Sequence, residues 1–261
     1  MTPDEHIRSY FQTLYGAWGH QHWWPAQTRF EVIVGAYLTQ NTSWINVERA
    51  LENLRGARVL SVGGIRRTPL RRLEQLIRSS GYFRQKARRL KTFVKFLDER
   101  YRGSLSRMLA EPTAKLREEL LALNGVGPET ADSILLYAGN HASFVVDGYT
   151  RRILERHGVV EARDGYEEIR DLFERSLRPL ADDDALESAP VAAQDGAPRG
   201  SSHPPTRMSA ARRDALIQVF NEMHGLIVGV GKNYCKKSQP ECELCPLRKF
   251  LPGADSFEHV L

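Results

Sequence analysis

The stretch LNGVGPETADSILLYAGNHASFVVDG, residues 123–148, decides how this chain is read. It contains the end of one helix, an Asn-Gly-Val-Gly turn, a second helix, and an apolar pair, Val145–Val146, that stops at Asp147. Gly125 and Gly127 permit positive φ and close backbone approach, and Pro128 suits the first turn of the helix that follows. Backbone N–H groups aimed outward from such a turn make an anion site for a DNA phosphate. The candidate contacts are Gly125, Val126, Gly127 and Thr130. A plain corner between two helices, with glycines needed only for geometry, explains the same residues. Asp147 is either the N-cap of the helix that begins near Tyr149 or the carboxylate of a reaction, and the two roles are compatible.

Outward from this stretch, helical periodicity dominates. RFEVIVGAYLTQ places Phe30, Ile33, Val34, Tyr37 and Leu38 on one stripe, the spacing of a helix packed on a core. Similar patterns recur in INVERALENL, LRRLEQLIRS, KARRLKTFVKFLDERY, TAKLREELLAL, ETADSILLYAG, YTRRILERHG and DALIQVFNEMHGLIVGVG. No alternating strand pattern matches them in strength, so the fold is expected to be all-α. At 261 residues, 41% hydrophobic and 26% charged, the chain has enough apolar content for one large domain or two small lobes.

The net charge of +5 favours a polyanionic partner. Between Arg66 and Arg102 thirteen Lys and Arg side chains face only Glu74, Asp98 and Glu99, a density that suits a phosphate-facing surface better than a merely solvated helix face. Residues 182–209 lack aromatics and are rich in Ala, Asp, Pro, Gly and Ser; they are expected to be a disordered insertion without functional weight. MTPDEHIRSYFQTLYG has no apolar signal core and no stretch is long and apolar enough to span a bilayer, so a cytoplasmic protein is expected.

LNGVGPETA followed by FVVDGYTRRIL resembles the helix-hairpin-helix DNA glycosylases of the endonuclease III type, in which an LPGVGxxTA hairpin precedes a VDxH-like aspartate. RFEVIVGAYLTQNTSWINV is similar to the family's early helix, and SSGYFRQKARRLKTF to its GxxxxKAxxL helix. The resemblance runs from about Trp23 to Cys245, the insertion excepted. It implies two helical lobes with a DNA-binding cleft between them: residues 27–140, ending in the hairpin, and residues 1–26 with 141–261. Double-stranded DNA with damaged bases is the implied partner, and a monomer the implied state.

Two departures narrow the implied activity. Family members that also cleave the strand carry a lysine two residues after the second hairpin glycine; here Glu129 stands there, and a carboxylate cannot form a Schiff base. HWWPAQTRFEVIVGAYLTQNT is similar to the 3-methyladenine glycosylases of this fold, which also carry Glu at that place. That branch implies a base pocket of Trp23, Trp24, Pro25 and Trp44, with core packing the alternative for the first two. Gln40 matches the residue that fills the gap left by the extruded base; a solvent-exposed helix end is the other reading. An N3-methylated purine is cationic, so indole faces attract it at about 1–3 kcal/mol per platform. Its glycosidic bond is already weakened, so extruding the nucleotide and stabilising an oxocarbenium-like sugar remain. Asp147 is the candidate for that work.

Cys235, Cys242 and Cys245 have the spacing C-x6-C-x2-C. The family continues with x5-C to complete a [4Fe–4S] cluster, but that position is Leu251. Water, a small molecule or His259 would complete the site; a remnant loop or zinc are the alternatives. The expected function is a monofunctional glycosylase that removes damaged bases, alkylated purines foremost, in base excision repair. The rivals are an endonuclease III-like glycosylase and lyase acting on oxidised or mismatched pyrimidines, and a non-catalytic DNA-binding module.

Overall fold

A computed structural model describes residues 1–182 and 203–253, and among these every regular element is helical, as the periodicity predicts. In chain order the α-helices are α1 (Pro3–Trp18), α2 (Arg29–Thr39), α3 (Trp44–Gly56), α4 (Val62–Arg67), α5 (Leu70–Leu76), α6 (Phe83–Tyr101), α7 (Leu105–Met108), α8 (Thr113–Leu121), α9 (Pro128–Ser133), α10 (Gly148–Arg156), α11 (Tyr166–Leu177) and α12 (Ala215–Asn233). Past Ser133, α9 widens into π-type turns over Ile134–Gly139. The chain divides into two compact units, Ala26–His141 and Met1–Pro25 with Ala142–Leu261.

In the unit Ala26–His141, α2 is the central helix. The sequence predicts one apolar stripe, but every residue from Phe30 to Leu38 is buried, Glu31 among them. A helix apolar all round belongs in the middle of its neighbours. Glu31 is tolerated there because it accepts from Arg55 Nη2 at 2.5 Å and from the Gln27 backbone N–H at 3.1 Å. Lys86 of α6 is buried and donates to Leu38 O at 2.9 Å and Ser80 O at 2.6 Å. It thereby places an ammonium on the last carbonyls of α2, where the helix dipole favours a cation. Burial, with Arg89 nearby, pushes Lys86 down to about 8.

In the unit Met1–Pro25 with Ala142–Leu261, α12 is central and is buried from Val219 to Gly231. Helices α1 and α11 were not among the sequence patterns above. The first starts at a capping box in which Thr2 and Glu5 bond reciprocally. Phe144 stacks on Phe173 of α11 with ring centroids 4.2 Å apart and meets Phe220 of α12 edge-on. Of the insertion expected at 182–209, residues 183–202 lie outside the described residues. The remainder is ordered: Thr206 and Ser209 close a turn, and the His203 N–H donates to Gln21 O at 3.2 Å. Among the described residues no helix is long and apolar enough to cross a membrane.

Candidate active site

Asp147 caps α10. Its Oδ1 accepts from the backbone N–H of Tyr149 at 3.0 Å and of Thr150 at 2.8 Å, and from Thr150 Oγ1 at 2.9 Å. All three donors fall on one oxygen. The other, Oδ2, stands 3.7 Å from His224 Nε2, and the carboxylate keeps 13% of its surface exposed. Capping therefore fixes the side chain by one oxygen and leaves the second turned toward α12. His224 is buried, and burial holds it below its ordinary value while Asp147 pulls the other way. A lone histidine in the apolar run MHGLIVGVG reads as core, and no local pattern signals this pairing.

Helix α10 is strapped in place from behind. Arg152 donates from Nε to Cys235 O at 2.7 Å and from Nη2 to Gly231 O at 3.1 Å, with its guanidinium over the Tyr149 ring. Arg156 reaches Lys236 O at 2.7 Å and Lys237 O at 2.9 Å. A Cβ on Gly231 would lie 2.2 Å from the Tyr149 ring, so only glycine lets α10 and α12 approach this closely.

The segment HQHWWP runs along α12. Buried Glu222 accepts the Gln21 backbone N–H at 2.7 Å and pairs with His20 Nδ1 at 3.0 Å, which raises the histidine. Gly225 admits this segment, since its Cβ would sit 3.0 Å from both Gln21 Cβ and Trp23 Cβ. Trp23 and Trp24 are buried and lie edge to face at 5.8 Å. The Trp23 ring is 6.0 Å from His224 and 5.7 Å from His203. Pro25 is half-buried beside them. Trp44 belongs to the other unit, where it opens α3, half-buried, and donates to Glu48 Oε1 at 2.8 Å.

The hairpin joins α8 to α9 within the unit Ala26–His141. Gly125 has φ +81°, and a Cβ there would meet Arg89 Nε at 2.0 Å, so the glycine serves both the turn and the arginine beneath it. The Val126 N–H closes the turn on Leu123 O at 3.0 Å. Arg117 and buried Asp132 form a two-pronged pair at 2.8 and 3.0 Å that ties the two helices together. Gln40 is engaged here as well: Oε1 accepts from Arg89 Nη1 at 2.5 Å, and Nε2 donates to Gly125 O at 2.9 Å and Thr130 Oγ1 at 3.0 Å. Filling a gap in DNA would cost Gln40 all three bonds. Glu129 is exposed on the first turn of α9.

The basic run is partly committed internally. Arg66 pairs with Asp98, Arg100 with Glu119, and Lys91 caps Ile65 O at 2.6 Å. Lys86 and Arg89 are committed inside as well, and the remaining members of the run are exposed.

Cys235, Cys242 and Cys245 line one cavity with Arg156, His157 and Leu251, so the loop does gather the three thiols. The cavity between them holds about 20 Å³, room for about one water. Leu251 has no donor atom, His259 lies outside the described residues, and burial pushes the Cys245 thiol up to about 11. Among the described residues no group of three or more His, Cys, Asp or Glu side chains is arranged to hold a metal ion. The donor set is one short of a four-thiolate cluster, and no chemical step is assigned to one.

Residues 34–179 match the family model of the HhH-GPD superfamily base excision DNA repair proteins. A Methanocaldococcus jannaschii protein provisionally named a DNA repair glycosylase is 40% identical over 248 residues, 94% of this chain and 96% of its own length. The crystal structure of the H. pylori 3-methyladenine DNA glycosylase bound to 1,N6-ethenoadenine is similar with a TM-score of 0.66 and 28% identity, over 89% of this chain and 98% of that one. A non-covalent endonuclease III–DNA complex shares the fold, with a TM-score of 0.67 over the whole of both chains at 20% identity.

Proposed function

The chain belongs to the HhH-GPD superfamily of base excision DNA repair proteins and is a DNA glycosylase, and from that premise we propose that it hydrolyses the N-glycosidic bond of alkylated purines without cutting the strand. The observation that carries this reading is Asp147, held by Oδ1 with Oδ2 left to act, together with Glu129 at the family's lysine position. The hairpin amides of Gly125 and Gly127 take a DNA phosphate, with Val126 shaping the turn and Thr130 and Gln40 bracing it. Trp23, Trp24 and Pro25 are the aromatic and apolar side chains of one unit suited to a cationic base. The similarity to a glycosylase whose name specifies 3-methyladenine supports the choice of substrate class.

The chemistry asks little of an acid. A methylated purine carries its own positive charge, so it departs neutral when the bond to C1′ breaks. Positive charge then grows on the sugar, and the Asp147 carboxylate stabilises it. A water oriented by the same carboxylate bonds to C1′ and gives up its proton, leaving an abasic site and free base. Asp147→Asn is the test. Asparagine caps helices as well as aspartate does, so the variant keeps its fold while the charge is gone. Release of methylated bases from alkylated DNA is expected to fall by about a thousandfold or more; full release by the variant overturns the mechanism.

A strand-cleaving reading has one observation in its favour: Lys232 Nζ lies 5.8 Å from the Trp23 ring centroid, an amine beside the proposed base platform. Borohydride trapping on an abasic duplex separates the two, because only an amine that attacks the sugar is captured.

A further inference from the structure

The buried polar atoms around Trp23 carry information that stacking does not use. Trp23 is 95% buried (5% exposed), and its Nε1–H has no hydrogen-bond partner among the described residues. Asn221 of α12 is fully buried, and neither its Nδ2 nor its Oδ1 has a partner among them. Native proteins rarely leave such groups unmade, because each has given up water for nothing. The two residues share a face: Gly225 packs on Trp23 Cβ and His224 lies 6.0 Å from its ring, and Asn221 sits one helical turn before both. His224 in turn is 3.7 Å from Asp147 Oδ2. His224 thus stands between the Trp23 ring and the carboxylate proposed to react.

We propose that Trp23 Nε1–H and the Asn221 amide read the edge of the extruded base, and that the edge they fit is a lactam, a carbonyl oxygen beside a ring N–H. Indole can only donate, so its partner must accept. The Asn221 amide offers a donor and an acceptor side by side, the complement of a ring N–H next to a carbonyl. The carbonyl has two lone pairs, one for Asn221 Nδ2 and one for Trp23 Nε1. An adenine-type edge satisfies the amide but turns an amino group on the indole N–H, donor against donor. The His203 ring lies beside this place, 5.7 Å from Trp23. The inference rests on the reading of this unit as base-holding, and within alkylated purines it selects guanines over adenines.

One batch of methylated DNA tests it, since 7-methylguanine and 3-methyladenine are released together and separated by chromatography. With the full chain, Asn221→Leu is expected to lower release of 7-methylguanine about 10-fold or more while 3-methyladenine changes by less than about 2-fold. Asn221→Leu should keep or raise the Tm, because two unmatched polar atoms leave the core. Equal losses on both bases overturn the proposal, and so does a lowered Tm with an unchanged ratio, the outcome if a buried water already satisfies the amide. If the parent protein releases neither base, the function proposed above fails by itself. Tryptophan quenching by free 7-methylguanine against free 3-methyladenine still decides this point: tighter binding of the former that Asn221→Leu removes supports it, and equal binding overturns it.

Discussion

Glu129 and Asp147 carry the proposed chemistry at the scale of single residues. Glu129 is exposed on the first turn of α9, where a carboxylate suits the helix dipole and offers no nucleophilic nitrogen. The parent protein is accordingly expected to yield no covalent adduct when mixed with an abasic duplex and borohydride. Glu129→Lys restores an amine at the place where strand-cleaving relatives carry one, and a trapped protein–DNA band should appear on a denaturing gel. A band from the parent itself would point to Lys232 and to the strand-cleaving reading. Asp147 illustrates how one side chain holds two offices: three donors grip Oδ1, so the geometry of Oδ2 is inherited from the helix it caps.

Between elements, the hairpin depends on its braces more than on its glycines. Arg117 and Asp132 join α8 to α9 through two hydrogen bonds, with Asp132 fully buried and Arg117 part-buried. Removing one partner of a buried pair leaves the other charge stranded, at a cost of about 3–5 kcal/mol. Asp132→Asn should therefore lower the urea midpoint by an amount of that order, and weaken DNA binding as the turn loosens. An unchanged midpoint would mean that the pair contributes nothing net. The same dependence explains Gln40: a residue at the end of α2 supports a turn eighty-five residues later in the chain, with Arg89 completing the link.

Across the whole molecule, buried histidines tie stability to pH. His157 is buried with Nδ1 2.7 Å from Tyr10 Oη, and burial, reinforced by His6, holds it down at about 4 against an ordinary 6.5. The folded state then refuses a proton that the unfolded chain takes. Stability is full above about 6.5 and declines as pH falls toward about 4, at about 1.4 kcal/mol per unit for this group. Over that window the loss is about 3 kcal/mol. His6 and His224 are shifted the same way and add to the slope. His157→Asn should remove about one proton's worth of the dependence in urea titrations run from pH 7 to 4.5; an unaltered slope would assign the acid limb elsewhere.

How much of this was legible in the chain follows from what each signal reports. The all-α fold, the hairpin and Asp147 were readable because periodicity, a Gly-Val-Gly turn and a cap are local patterns. The Thr2–Glu5 capping box of α1 was equally local and was passed over. The full burial of α2 was not legible, since a stripe pattern cannot tell a covered face from a second covered face. Arg89 is one cation among thirteen, and His224, Asn221 and Glu222 sit in an apolar run where a polar residue looks incidental. Their roles arise from partners far off in sequence, Glu222 with Gln21 and His224 with Asp147.

The straps behind α10 have one more consequence. Arg152 and Arg156 grasp the Cys235 loop chiefly through carbonyl oxygens, which every amino acid supplies. The loop is therefore held behind α10 whether or not its three thiols carry an inorganic group, and the footing of Asp147 does not depend on one.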